Sequence, residues 1–144
     1  VSSITIVGIF TGNRPNNLGV TDGKLAPCPN TPNCVSSQST DATHKVEPLS
    51  YTSTPDVALA QLKQVIRSLP KTSIITETDS YIYAEFTSAI MGFVDDVEFY
   101  LEPEARVFHV RSASRLGKSD LGVNRKRVET IRSQFQALQA QQSV

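Results

Sequence analysis

Residues Phe93 to Glu129 read FVDDVEFYLEPEARVFHVRSASRLGKSDLGVNRKRVE, and this stretch decides the fold. Over Phe93–Leu101 the apolar residues Val97, Phe99 and Leu101 alternate with polar ones, and over Val107–Ser114 Phe108 and Val110 do the same. A period of two is the mark of a strand buried on one face. A two-residue loop at Pro103-Glu104 would pair Phe99 with Phe108 and Val97 with Val110, putting Asp96 opposite Arg111 and Glu98 opposite His109. A one-residue slip would mix apolar with charged positions and is strongly resisted when one face is buried. Exposed pairs of opposite charge across strands contribute about 0.2–1 kcal/mol each.

The same stretch changes sign of charge. Thr72 to Ala105 holds eight acids and no Lys or Arg, whereas Arg106 to Arg132 holds eight bases against two acids. A formal net charge of zero thus hides two oppositely charged segments. Net neutrality argues against general nucleic-acid binding, which needs a basic excess.

Working outward, Tyr81–Ser88 alternates with Ile82, Ala84 and Phe86 on one face, and Ile74–Thr78 precedes it across an Asp79-Ser80 turn. Before these lies a helix: Thr54 as N-cap, Pro55 at the first position, Asp56 at the positive end of the dipole, and a stripe of Leu59, Leu62, Val65, Ile66 and Leu69 ended by Pro70. Lys45–Tyr51 reads as an edge strand because Pro48 cannot donate to a ladder. A last helix runs from about Asn124, a good N-cap, to Gln139, with Val128, Ile131, Phe135 and Leu138 as its apolar stripe. Its first turn carries Arg125, Lys126 and Arg127, where positive charge opposes the helix dipole. Such a local conflict marks a functional site or bases with partners elsewhere in the fold.

The order β-α-β-β-β-β-α predicts an α+β fold: an antiparallel sheet of four to five strands with both helices on one face. The opposite face is expected to be open and to carry Tyr83, Glu85, Asp96, Glu98, Tyr100, His109 and Arg111.

Residues 1–43 differ in composition. They contain four of the eight prolines, with Pro48 just beyond, and four of the seven glycines, so they read as an irregular arm laid over a body formed by residues 44–144. Leu18, Val20, Leu25 and Val35 are its expected anchors. The apolar run Ile4–Phe10 is too short for a membrane span and reads as a short strand or extended arm. Cys28 and Cys34 bracket PNTPN. A disulfide, which requires an oxidising compartment, is the leading reading, with a reduced pair or redox switch as the alternative. No third and fourth metal ligands lie close by.

Catalytic signatures are missing. A Ser-His-Asp set can be drawn from His44 or His109, but nothing resembles a nucleophile elbow. Asp95 and Asp96 are neighbours on a strand and point to opposite faces, so they do not converge on a cation and are expected to pair with arginines. The segment RSASRLGKSDLGVNRKR has three readings: a solvated charged loop, arginines buttressing the acidic strand, or a recognition surface for an acidic or phosphorylated partner. It contains no phosphate-loop pattern.

Three blocks, LAPCPxxPNCVSSQ, DDVEF and RSASRxGxxDxGxNRxR, occur in this order. Together they resemble the domain-of-unknown-function 1499 family over about Gly12 to Phe135. The lead-in GNRPNNLGV is most similar to cyanobacterial and plastid members, which implies export or thylakoid targeting, with the lumen favoured over the stromal face. The family supplies no activity to transfer and implies no cofactor.

The resulting expectation is a non-catalytic interaction domain, an auxiliary or assembly subunit peripheral to a photosynthetic membrane complex such as a photosystem. Its contacts would come from Arg111, Arg115, Lys118, Asp120, Asn124, Arg125, Lys126 and Arg127, with Asp95, Asp96, Glu98 and Arg111 in structural charge pairs. The alternative is a module holding a lipid, pigment or phosphorylated metabolite between sheet and helices.

Overall fold

The structure is a computed structural model that describes residues 11–88, 91–117 and 119–142. The expected strand or arm at Ile4–Phe10 and the site residue Lys118 lie outside the described residues. The elements in chain order are β1 (Cys34–Ser36), β2 (Leu49–Ser50), α1 (Pro55–Ser68), β3 (Thr72–Glu77), β4 (Tyr81–Thr87), β5 (Val94–Glu102), β6 (Val107–Ser114) and α2 (Val123–Gln142). The class is α+β. The antiparallel sheet has six strands in the order β1-β6-β5-β4-β3, with β2 also on β6. β1 pairs with Arg111–Ala113 and β2 with Val107–Phe108, so the two short strands lie end to end along one edge of β6.

The sheet is one strand larger than expected because the supposed arm contributes β1. Val35 joins the core, and the backbone N–H of Ser37 donates to the Val110 carbonyl at 2.9 Å. A boundary at residue 43 therefore falls after the sheet has begun.

Both helices cover the face formed by Ile82, Ala84, Phe86, Val97, Phe99, Leu101, Phe108 and Val110. Leu59, Leu62, Val65 and Ile66 of α1 and Val128, Ile131 and Phe135 of α2 fill the interface. Phe108 meets Phe135 edge-on, with ring centroids 5.9 Å apart. α1 starts as its sequence dictates, with Thr54 extended and Pro55 at the first helical position. Thr54 Oγ1 donates to the Asp56 carboxylate at 2.6 Å and does not cap the backbone.

The β5–β6 register corrects the expected one. Phe99 lies opposite Val110, Leu101 opposite Phe108, and Glu98 opposite Arg111, while Asp96 faces Ala113 and His109 faces Tyr100. The connection is the four-residue turn Pro103–Arg106, not a two-residue loop. A shift of two keeps every side chain on its face, so the burial pattern does not distinguish the two registers. The longer turn is pinned through Arg106, which adopts a left-handed φ of 56°. Its guanidinium donates to the carbonyls of Thr52 and Ser53 and lies over the Tyr51 ring at 5.2 Å.

The face expected to be open is covered. The segment ahead of β1, residues 11–33, crosses it, and Tyr83, Asp96, Glu98 and Arg111 are all buried. The fold is thus three layers: helices, sheet and a strap.

Candidate functional site

The segment RSASRLGKSDLGVNRKR folds into the end of β6, a loop and the start of α2. Strand alternation divides its work. Arg111, Ala113 and Arg115 point toward the strap, and Ser112 and Ser114 toward α2.

On the strap side Arg115 is saturated. Its Nε donates to Asp96 at 2.9 Å, and its Nη2 donates to Asp96 at 2.8 Å, Glu85 at 2.6 Å and Tyr83 Oη at 3.2 Å. The Asp96 carboxylate, outweighing burial, raises the Arg115 pKa and locks the guanidinium charged. Arg14 of the strap closes the group by pairing with Glu85 at 2.7 Å. Burial works to raise the Glu85 pKa, but hydrogen bonds from Arg14, Tyr83 and Arg115 prevail and hold it below its usual range. Beside this group Glu98, 0% exposed, accepts from Tyr81 Oη at 2.5 Å and from the Gly19 backbone N–H at 2.7 Å. Burial and the Glu98 hydrogen bond push the Tyr81 phenol far up. Arg111 Nη1 lies 3.9 Å from Glu98 Oε1.

On the helix side Asn124 is the hub. It was expected to cap α2, but the helix begins one residue earlier and the Asn124 side chain is buried inside the corner. Its Nδ2 donates to Ser114 Oγ at 2.8 Å and Asp120 Oδ2 at 2.7 Å. Its Oδ1 accepts from Ser112 Oγ at 2.6 Å and Arg127 Nη1 at 2.8 Å. Asp120 takes over the end of the helix, accepting from the backbone N–H groups of Gly122 and Asn124. Burial opposes ionisation of Asp120, yet these bonds outweigh it and depress its pKa.

The basic first turn of α2 is therefore largely satisfied. Arg127 pairs with Asp95 at 2.8 Å and lies over the Phe86 ring at 4.9 Å. Arg125 donates to the carbonyls of Lys45 and Thr43. Lys126 is exposed. Asp95 and Asp96 do point to opposite faces, one to Arg127 and the other to Arg115. Arg111 and Arg115, expected at a partner surface, are instead covered by the strap.

The corner builds an apolar cleft of about 400 Å³. Of the six exposed large apolar side chains among the described residues, four (Phe93, Leu116, Leu121 and Val123) line it. Leu121, with a φ of 55°, is 96% exposed. The sequence signal for this cleft was three apolar residues in an otherwise polar loop. The density of charge in the segment masks that signal.

Two further constellations bear on chemistry. Ser37 Oγ lies 3.1 Å from His109 Nδ1, and His109 Nε2 lies 2.7 Å from Glu102. The order is that of a serine–histidine–acid relay, but Ser37 is 2% exposed and its Oγ already accepts the Val110 N–H. Cys28 and Cys34 form a disulfide with Cα atoms 5.7 Å apart. Among the described residues no three of His, Cys, Asp and Glu gather as metal ligands, and no helix is long and apolar enough to cross a membrane.

Fold and site together define a small disulfide-bonded α+β domain with a polar strap on one face and an apolar cleft at one end. Residues 24–135 match the family described as protein of unknown function (DUF1499), and the chain belongs to that family. No curated protein matches it.

Proposed function

We propose that this protein is a non-catalytic interaction domain, an auxiliary or assembly subunit that docks peripherally on a photosynthetic membrane complex, with a photosystem as partner. The observation that carries the reading is the gathering of four exposed apolar side chains in one cleft. Contiguous apolar surface of this kind, rimmed by polar groups, marks interaction sites. Val123 and Arg127 continue from the cleft into a neighbouring depression that the exposed Lys126 also lines, so the rim carries both signs of charge, Asp120 and Lys126 among them, and suits a partner with a polar border around an apolar surface. The Cys28–Cys34 bond suits an oxidising compartment such as the thylakoid lumen. The resemblance of GNRPNNLGV to cyanobacterial and plastid sequences supports the same assignment.

A ligand held between sheet and helices is less well supported. Leu62, Ile66, Phe99, Phe108 and Phe135 fill that interface and are essentially inaccessible.

Native gels of mildly solubilised photosynthetic membranes test the docking reading. The wild-type chain is expected to co-migrate with a photosystem, and a photocrosslinker at Val123 to label one of its integral subunits. Replacing Leu116 and Leu121 together by Asp should abolish co-migration while changing folding stability by no more than about 0.5 kcal/mol, as for surface sites. A chain that migrates alone, or a double variant that still co-migrates, contradicts the reading.

A further inference from the structure

Between the strap and the outer sheet face lies a cavity of about 480 Å³, with Arg111, Ala113 and Arg115 on its floor and Asn17, Pro27 and Asn33 in its walls. Its two arginines differ sharply. Arg115 spends its N–H groups on Asp96, Glu85 and Tyr83. Arg111 is 4% exposed and its Nε has no hydrogen-bond acceptor among the described residues. Among the described residues its Nη2 reaches only the Pro27 carbonyl, at a long 3.4 Å, and its Nη1 lies 3.9 Å from Glu98 Oε1. Glu98 does not itself line the cavity; its Oε1, next to Arg111, is likewise buried and has no donor among the described residues.

A buried guanidinium and a buried carboxylate oxygen left this way are costly. Each loses its hydration without a replacement. Burial lowers the Arg111 pKa, and Glu98, Asp96 and Tyr81 offset this only in part. The remaining need is specific. Arg111 requires an oxyanion, which its fork can take through two parallel N–H bonds. Glu98 Oε1 requires an O–H or N–H donor beside that oxyanion.

We infer that Arg111 and Glu98 anchor a binding site for a small oxyanion carrying its own donor: a hydrogen phosphate group, or a hydroxy- or amino-carboxylate. The strap supplies the outer wall of this site, and the Cys28–Cys34 loop, which also lines the cavity, fixes that wall. The inference is independent of the apolar cleft, which lies on the other side of β6.

The test uses the intact protein and four probes at matched ionic strength: inorganic phosphate, glycolate, sulfate and acetate. NMR of the Arg111 Nε–H reads the site directly, and thermal unfolding reads stabilisation by ligand. Phosphate and glycolate are expected to shift the Arg111 Nε–H resonance and raise the melting temperature. Acetate and sulfate, which bring no donor at neutral pH, should bind at least tenfold more weakly. Glycolate binding without phosphate binding would select carboxylates as the class, and the reverse would select phosphates. Ala113→Leu fills the cavity while every charged residue of the site is retained, and should abolish the response. If no probe moves the Arg111 resonance, or if Ala113→Leu responds like the wild type, the inference is overturned. Should Ala113→Leu fail to fold, the wild-type resonance alone decides.

Discussion

Residue by residue, this protein turns its polar side chains inward. Asn124 was legible in the sequence as a polar residue at a helix start, but not as a buried hub. Its partners Ser112, Ser114, Asp120 and Arg127 come together only when β6 meets α2. His44 is a second case. Its Nδ1 lies 2.6 Å from Asp41 and its Nε2 2.9 Å from the Thr31 carbonyl. The Thr31 carbonyl, then Asp41, raise its pKa above 6.5 against the effects of burial and the Arg125 charge. A raised folded-state pKa makes protonation stabilising. The contribution is complete below the ordinary histidine value and is lost as pH rises through the raised one. Thermal unfolding across this window should show a fall in stability with rising pH that His44→Gln removes. An unchanged profile in the variant would place the titration elsewhere.

Among the elements, those carried by local pattern matched expectation closely: α1 with its Pro55 start, β4, and β6 from Val107 to Ser114. Facing of side chains was legible too, because alternation fixes parity. Register was not. A shift of two preserves parity, and the contacts of Arg106 with Thr52, Ser53 and the Tyr51 ring favour the longer turn. β1 was missed for a related reason. Three residues between prolines and serines give no period to read, and their strand character comes from pairing with Arg111–Ala113. The Cys28–Cys34 bond holds the segment that enters β1. Closing so short a loop stabilises a fold by about 2 kcal/mol in the chain-entropy picture. Denaturant unfolding with and without reductant should differ by about that amount, and equal midpoints would show that pairing alone fixes β1.

At the scale of the molecule, charge segregation along the chain becomes charge pairing across layers. The acids of β4 and β5 meet arginines from the end of β6, from α2 and from the strap: Glu85 with Arg14 and with Arg115, which directly follows β6, Asp96 with Arg115, and Asp95 with Arg127. This side-by-side arrangement follows from two adjacent strands of opposite charge. The strap's position over the sheet does not follow from the sequence of the strap alone, since its hold depends on groups such as Glu98 that lie far along the chain. In the proposed function, docking is assigned to the apolar corner rather than to the basic segment as a whole. The central claim is that the strap is an integral layer covering a buried polar sheet face. Amide hydrogen exchange at Gly19 tests it most directly, because that N–H donates to Glu98 at 2.7 Å. The account predicts that Gly19 exchanges with protection close to that of the Val110 amide in β6, opening only with the domain. Exchange of Gly19 at the rate of an unstructured peptide, while Val110 stays protected, would contradict it.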